Sequence, residues 1–290
     1  MSWSYNQIEV YFLLEDLPLG VTEMTLVDDP IDDENTGKWW PASLFGIVRG
    51  RPTLTRSQMN TNNSITIPGL NGTIYNSFST RGNAKLQFDI LVENSWVHNE
   101  EDNGSVANRV DMLQMLMTNA KYISYKMPGV EANTFYLETT LKADCTVTDA
   151  DKDCSVIQAQ IEVVPFKHKF SGNQARYLSE QAWFHYETHY PDAVAKPILL
   201  FNTGGSGYLI CTTDSRGSNR IVCSNVPAGT ILDTGKCLAY VEDDELGIVN
   251  VNDKFEGDYT NFWFPRNDSI IMSSNGMGNV NVYTMEGVDI

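Results

Sequence analysis

Two histidines form the chain's best candidate for a metal site, in the sequence His185-Tyr-Glu-Thr-His189. Their spacing places both imidazoles on one face of a helix or of a strand. In zinc hydrolases with such a helix, a Glu directly follows the first His and acts as the general base, whereas here Tyr186 holds that position. No third ligand is identifiable, so we interpret the pair as surface or interface histidines. A metal-dependent hydrolase stays an alternative, and it predicts stoichiometric zinc.

Three aspartates, Asp149, Asp151 and Asp153, have the opening spacing of a calcium-binding EF-hand loop. That loop needs a Gly at its sixth position for a sharp turn and a bidentate Glu at its twelfth. Here those positions are Cys154 and Gln160. We therefore predict a solvated hairpin tip rather than a calcium site.

The sequence contains no recognisable motif for catalysis without a metal. The chain has no nucleophile elbow, no phosphate-binding Lys loop, no dinucleotide fingerprint and no Cys–His pair with a plausible base. The Gly-rich run 204–207 lacks the Lys that phosphate binding uses. We predict a protein that is not an enzyme, with no catalytic residue, no metal and no cofactor.

The acidic composition limits the partners that we expect. The 290 residues include 37 acids and 20 bases, for a formal charge of −17. Stable binding to nucleic acid or to an anionic membrane needs clustered Lys and Arg, so we expect neither. No apolar run approaches the ~20 residues that span a bilayer, and the N-terminus lacks the pattern of a signal peptide. The five cysteines form no CxxC pair, which is typical of free thiols in a reducing cytoplasm.

Most of the chain has the pattern of short β-strands. Segments rich in Val, Ile, Thr, Tyr and Phe alternate with Asn, Gly, Asp and Ser, which predicts a mostly β fold. Residues 158–163 alternate polar and apolar side chains, as a strand with one wet face does. The predicted strands are 65–67, 86–92, 135–141, 156–164, 197–201, 208–212, 220–223, 238–241, 269–272 and 280–283.

One amphipathic helix is predicted at residues 106–120, with Ser105 as its N-cap. We expect its apolar face to pack on the chain's own sheet, and a partner-binding groove is the alternative. A weaker second helix is predicted at 175–183. The apolar face of the first helix comprises Val106, Val110, Leu113 and Met117, widened by Met112 and Leu116.

Segments that contain glycine predict hairpin turns, because Gly tolerates the positive φ that tight turns need. These segments are Asn71-Gly72, Asn103-Gly104, Thr203-Gly204-Gly205 and Asn275-Gly276. A polar connector after residue 172 divides the strands into two sets. We predict two domains, 1–172 and 173–290, both of ordinary domain size.

Charge is unevenly distributed near the N-terminus. Residues 1–37 contain nine acids and no base, and residues 38–88 contain six bases and no acid. One interpretation is that both segments are simply solvated. The alternative is that they meet, within one subunit or between neighbouring subunits, and that complementary charge sets the register of the two segments against each other. The interface candidates are Arg49, Arg51 and Arg56 against Asp28, Asp29, Asp32 and Asp33.

Three stretches in order carry a resemblance to a known family. The first is an arginine-bearing strand, 46–52, followed by an Ile-Pro-Gly turn with Pro68, Gly69 and Gly72. The second runs from the helix 106–120 through a hairpin to a closing strand with Pro165-Phe166. The third, 231–276, includes Gly257-Asp258 and further turns. Together they resemble the distal tail protein (Dit) family of long-tailed siphophages, although Leu70-Asn71 stands where Arg-Asp is usual and the first 45 residues do not match.

The resemblance implies a structural virion protein. Its N-terminal domain would be a β belt that forms a homo-hexameric ring at the distal end of a long non-contractile tail. Its C-terminal domain would be a galectin-like β-sandwich that faces outward. Such a ring joins the tail tube protein to the tail-associated hub or lysin protein, lines the DNA channel and in some phages holds a receptor-binding protein. The resemblance places the protein at the virion tail tip, assembled in the host bacterial cytoplasm.

A carbohydrate-binding adhesion module of the same host-recognition apparatus is the alternative function. Trp183, Tyr259 and Trp263 could stack on a sugar ring, although packing in a core or an interface is the simpler use of these side chains.

Overall fold

The computed structural model describes most of the chain. The described residues are 8–27, 35–56, 59–60, 64–66, 73–75, 80–93, 106–127, 134–150, 154–178, 184–187, 193–195, 197–213, 217–243, 245–257, 269–284 and 286–289. In them no helix is long and apolar enough to cross a membrane.

The chain divides into two compact units. Unit 1 comprises residues 1–17, 23–167 and 290, and unit 2 comprises residues 18–22 and 168–289. Whether the parts on either side of residue 172 are independently folding domains stays a prediction.

The described residues contain 24 strands and one α-helix. In unit 1 these are β1 Glu9–Leu13, β2 Trp40–Pro41, β3 Ile47–Thr55, β4 Met59–Asn60, β5 Ser64–Thr66, β6 Thr73–Tyr75, β7 Thr80–Arg81, β8 Ala84–Glu93, α1 Val106–Asn119, β9 Tyr122–Lys126, β10 Phe135–Ala150 and β11 Cys154–Lys169. In unit 2 they are β12 Arg176–Leu178, β13 Phe184–Glu187, β14 Ala193–Ala195, β15 Ile198–Phe201, β16 Gly205–Thr213, β17 Gly217–Val226, β18 Thr230–Asp233, β19 Leu238–Asp243, β20 Gly247–Asn250, β21 Phe255–Glu256, β22 Ser269–Asn275, β23 Val280–Tyr283 and β24 Glu286–Asp289.

The mostly β fold is confirmed, and each of the ten predicted strands overlaps an observed one. In unit 1 the sheet has the order β3-β8-β11-β10-β9-β1-β2. The alternation at residues 158–163 places Ala159, Ile161 and Val163 in the core, whereas Gln158 and Gln160 lie half-buried on the opposite face. The pattern therefore selected the buried face correctly.

Helix α1 packs on the chain's own sheet, as predicted. Leu113 and Met117 are fully buried in the core of unit 1, and the Gln114 side-chain amide donates a 2.7 Å hydrogen bond to the Ala143 carbonyl on β10. The predicted widening of the apolar face was wrong for Met112, which is 54% exposed. The face of α1 that packs on the sheet is therefore narrower than the apolar face predicted from the sequence.

Unit 2 contains a β-sandwich. One sheet has the order β12-β23-β15-β18-β19-β20, and the other has the order β13-β22-β16-β17-β21. Side chains from both sheets form one core, in which the rings of Phe201 and Phe255 lie 5.5 Å apart. The sandwich is thus observed, and its galectin-like character stays a prediction.

Two local predictions in unit 2 were wrong. Residues 176–178 form β12, which pairs with β23, where a helix was expected. The segments Thr203-Gly204-Gly205 and Asn275-Gly276 do not close hairpins, because each leads from a strand of one sheet to a strand of the other. Gly204 and Gly276 do have the positive φ that was expected, +63° and +75°. Glycine permits a tight turn, but it does not choose the strand that follows.

Glu9 is a buried carboxylate on β1. It is 8% exposed, and its Oε1 accepts hydrogen bonds from the backbone N–H groups of Val10 (3.0 Å) and Ser43 (3.1 Å). Burial raises the pKa of this carboxyl above its ordinary 4.5, although the hydrogen bonds to Ser43 and Val10 counteract the shift. The fold therefore favours the protonated form.

We predict that Glu9→Gln stabilises the protein at neutral pH, because the amide oxygen still accepts both hydrogen bonds and no charge is buried. A raised pKa in the folded state means that the wild type loses stability as the pH rises above 4.5. The variant's advantage should therefore vanish as the pH falls below that value. Urea unfolding midpoints of the variant and the wild type, measured from below pH 4.5 to neutral pH, give this difference in stability. A difference that does not change with pH would contradict a raised pKa for Glu9.

Candidate subunit interface

Strand β3 lies at an open edge of the sheet in unit 1. Among the described strands it pairs only with β8, which in turn pairs with β11. On the other side of β3 no described strand pairs with its backbone N–H and C=O groups, and such an edge can recruit another chain.

A bulge interrupts β3 where the first family-like stretch lies. Arg49 is opposite Asp89, but Thr53 is opposite Gln87, so four residues of β3 advance against two of β8. Gly50 has a φ of +74°, which glycine adopts without strain, and Pro52 is buried within the bulge. Bulges and prolines on an edge strand prevent unspecific strand pairing, so this edge favours a specific contact.

The three predicted arginines all lie at this edge and are exposed. Arg49 and Arg51 are on β3, and Arg56 follows its last residue. None of them makes an ion pair with another described residue. Their predicted acidic partners, Asp28, Asp29, Asp32 and Asp33, lie outside the described residues. The pairing between the two charge segments therefore stays a prediction.

Other acids of the N-terminal segment are engaged within unit 1. Besides the buried Glu9, Glu15 accepts a 2.9 Å hydrogen bond from the Gly37 N–H, and Asp16 pairs with Lys121 at 2.8 Å. Sequence analysis did not separate these acids from the others, since charge alone does not report burial. The acids that stay available for a second chain are accordingly fewer than nine.

Two further pairs of short strands follow β3 and precede β8 in the chain, β4 with β7 and β5 with β6, and we call these paired strands the arm. Thr55 is opposite Lys85, Met59 is opposite Arg81, and Thr66 is opposite Thr73. β4 and β7 pair with each other alone, as do β5 and β6, so no third described strand joins the arm.

The Ile-Pro-Gly segment belongs to the connection at the tip of this arm. Pro68, Gly69 and Gly72 lie between β5 and β6 and outside the described residues. An isolated two-stranded hairpin is only marginally stable in water. The described strands of the arm would therefore gain stability from a further surface.

Other residues of the family-like stretches have structural reasons for their identity. A Cβ at Gly46 would lie 2.5 Å from the Leu91 carbonyl oxygen, and one at Gly257, whose φ is +145°, would lie 2.7 Å from the Arg220 carbonyl oxygen. Only glycine fits such approaches. Pro165 is buried on β11, next to Phe166 on the same strand, and Asp258 lies outside the described residues.

The residues that first suggested chemistry are not brought together. His185 is on strand β13, opposite Ile271, and His189 lies outside the described residues. Asp149 is near the end of β10, and residues 151–153 fall in the undescribed connection to β11. Where the structure describes the chain, no group of three His, Cys, Asp or Glu could hold a metal ion.

The cysteines are free thiols in the structure. Burial raises the pKa of the Cys145 and Cys223 thiols to about 12. A thiol with such a pKa stays protonated at neutral pH and is a poor nucleophile.

Comparison with known proteins gives likenesses among solved structures alone. No family model matches the chain, and no curated protein matches it. Among solved structures, the chain is similar to the crystal structure of the SPP1 Dit protein (gp 19.1), described there as a paradigm of the hub adsorption apparatus in phages that infect Gram-positive bacteria. The identity is 13% and the TM-score 0.47, over 86% of this chain and 96% of that chain. A likeness at this level carries no functional argument.

We predict that charge reversal at the three arginines affects folding unequally. Arg51→Glu and Arg56→Glu should change the free energy of unfolding by no more than about 0.5 kcal/mol, because neither residue has an ion pair in the described structure. Arg49→Glu should cost about 0.2–1 kcal/mol, because it sets a second carboxylate opposite Asp89.

Urea unfolding of the three variants measures the difference, with Arg49→Gln as the uncharged control. Equal losses in Arg49→Glu and Arg49→Gln would contradict the cross-strand explanation.

Proposed function

We propose that this protein is a structural component of a long non-contractile phage tail. Six copies form a ring at the distal end of the tail, join the tail tube protein to the tail-associated hub or lysin protein, and line the channel for DNA. The ring is assembled in the cytoplasm of the host bacterium and acts at the virion tail tip, where a receptor-binding protein is a further partner. In this proposal the protein performs no catalysis.

The arm beyond β3 and β8 is the observation that carries this proposal. Its described strands form two antiparallel pairs, β4 with β7 and β5 with β6, and they pair with no third described strand. A neighbouring subunit provides the surface against which such an arm can be buried. The sequence resemblance supports the same conclusion, because the arm's base and tip carry the arginine-bearing strand and the Ile-Pro-Gly turn.

The uneven charge suits a ring contact. A closed ring uses heterologous contacts, in which one surface of a subunit meets a different surface of the next. Exposed arginines at the edge of β3 and an acidic segment at 28–34 would form two such surfaces. Pairs of this kind set register more than they add affinity, because exposed ion pairs contribute ~0–1 kcal/mol each.

The net charge suits a conduit for DNA. At −17, each copy repels a polyanion, so a ring of six copies would let DNA pass without binding it. A nucleic-acid-binding protein would need the opposite charge.

We predict that the purified protein forms particles with the mass of six chains and that removal of the arm yields single chains. In the variant, an Asn-Gly turn replaces residues 57–83 and joins Arg56 to Ala84, which are adjacent to the paired residues Thr55 and Lys85. Light scattering measures the mass. Unchanged circular dichroism and a cooperative thermal transition control for folding, and a hexamer that persists without the arm would contradict its role.

We further predict that the ring is sensitive to charge. The double variant Arg51→Glu, Arg56→Glu should form particles of lower mass. The variant Asp28→Lys, Asp29→Lys, Asp32→Lys, Asp33→Lys should do so too. A variant that combines both sets should regain the particle mass of the wild type, because complementary charge is restored. Lys236→Glu with Lys254→Glu, in unit 2, is the control with the same change in net charge as the arginine pair. If the combined variant stays dissociated, the two segments do not face each other.

A further inference from the structure

Strand β20 is an open edge of the six-stranded sheet in unit 2. Among the described strands it pairs only with β19, from Gly247 opposite Asp243 to Asn250 opposite Tyr240. The register between the two strands is regular, and β20 contains neither Pro nor Lys. The strand therefore lacks the features by which edge strands commonly prevent pairing with another chain.

The backbone of β20 presents hydrogen-bonding groups to this free edge. The Val251 N–H donates a 2.9 Å hydrogen bond to the Ala239 carbonyl, and these two residues continue the register of β19 and β20 by one step. Hydrogen-bonded pairs alternate with non-bonded pairs along an antiparallel ladder. Val249 is therefore bonded to β19, whereas the N–H and C=O groups of Ile248 and Asn250 point to the free edge. A further strand can bond to these four groups.

Two large aliphatic side chains are exposed beside this edge. Ile248 is 72% exposed on β20, and Leu246 is 76% exposed in the turn before it. The turn is held by a side chain, because the Asp243 Oδ1 accepts 2.9 Å hydrogen bonds from the backbone N–H groups of Glu245 and Leu246. A surface that is already ordered loses less conformational entropy when it binds a partner.

The same edge is acidic. Glu242, Asp243 and Glu245 are exposed, and none of them makes an ion pair with another described residue. The hydrogen bonds from the turn lower the pKa of the Asp243 carboxyl, so this group is ionised at neutral pH. Two copies of β20 side by side would bring like charges together, which disfavours pairing of this edge with itself.

We propose that β20 binds an extended, basic segment of another protein by strand addition. The free backbone groups of Ile248 and Asn250 bond to the backbone of that segment, as an added strand does in other peptide complexes. Aliphatic side chains of the segment cover Ile248 and Leu246, and its Lys or Arg side chains face the carboxylates of residues 242–245. An acidic segment of the same shape is repelled by these carboxylates.

The chain's own basic edge strand, β3, is the competing occupant. It carries the exposed Arg49 and Arg51, but its bulge and the buried Pro52 interrupt the sequence of backbone donors and acceptors. A strand with this bulge is a poor match for the regular β20. The segment therefore belongs to a different protein, and its binding does not depend on the ring proposed above.

Fluorescence anisotropy of two labelled peptides with the full-length protein tests the proposal. The cationic probe is acetyl-Thr-Lys-Ile-Lys-Ile-Lys-Thr-amide, and the anionic probe has Glu in place of each Lys. We expect the cationic probe to bind about tenfold more tightly than the anionic one, with a difference that shrinks as salt is added. Hydrogen exchange at the amides of Ile248 and Asn250 should become slower when the cationic probe binds.

The variant Ile248→Pro tests strand addition without a change in charge. It removes an N–H that points to the free edge and not to β19, so the thermal transition of the protein should be retained. The cationic probe should bind about tenfold more weakly to it than to the wild type. Tyr177→Ala is the matched control, since Tyr177 is 74% exposed on β12, at the opposite edge of the same sheet. This control should bind the probe as the wild type does.

The double variant Glu242→Lys, Glu245→Lys is the second test, and it leaves the backbone of β20 unchanged. It should reverse the preference, so that the anionic probe binds more tightly than the cationic one. The proposal is overturned if the cationic probe does not bind, if Ile248→Pro binds it as the wild type does, or if the double variant keeps the wild-type preference. A lower particle mass of Ile248→Pro without any probe would also overturn it, because the edge would then join two copies of this chain.

Discussion

The antiparallel register between β8 and β11 is the constraint on which unit 1 depends. Ten consecutive residue pairs join the two strands, from Cys154 opposite Glu93 to Val163 opposite Ala84. A slip by one residue would turn the apolar residues of one of the two strands away from the core. The same register determines which side chains of β8 face the core, and β3 pairs with the other edge of β8. The open edge at β3 and its bulge lie next to the β8 strand that this alignment holds in place.

The proposed function of this protein depends on surfaces rather than on a catalytic centre. An edge strand and an extended hairpin are liabilities for a protein that acts alone, because both leave backbone groups or apolar side chains uncovered. In an assembly they become the means of association. An edge strand in an assembly must avoid unspecific pairing and still offer a specific contact. The bulge at Arg49 to Thr53 serves both requirements, because it disfavours the addition of an unrelated strand and presents arginine side chains.

Unit 2 shows how a sandwich can carry a second surface. Its core needs only the inward residues of each strand, such as Leu199 and Val282, so the outward residues are free to vary. The antiparallel register between β19 and β20 then decides which backbone groups stay unpaired at the edge, and it sets Ile248 beside Glu242. That β20 is an edge strand is invisible to an analysis that reads one segment at a time, because it depends on the order of all six strands.

The sequence by itself determined the local structure and the charge pattern. Alternation at residues 158–163 and the spacing of Leu113 and Met117 report which side of an element is buried, and that property is local. Only the tertiary structure decided which elements meet: residues 176–178 became a strand, the turn at Gly276 changed sheets, and Met112 stayed exposed. The physical reason is that strand pairing depends on residues far apart in the chain, whereas propensity and periodicity describe only neighbours.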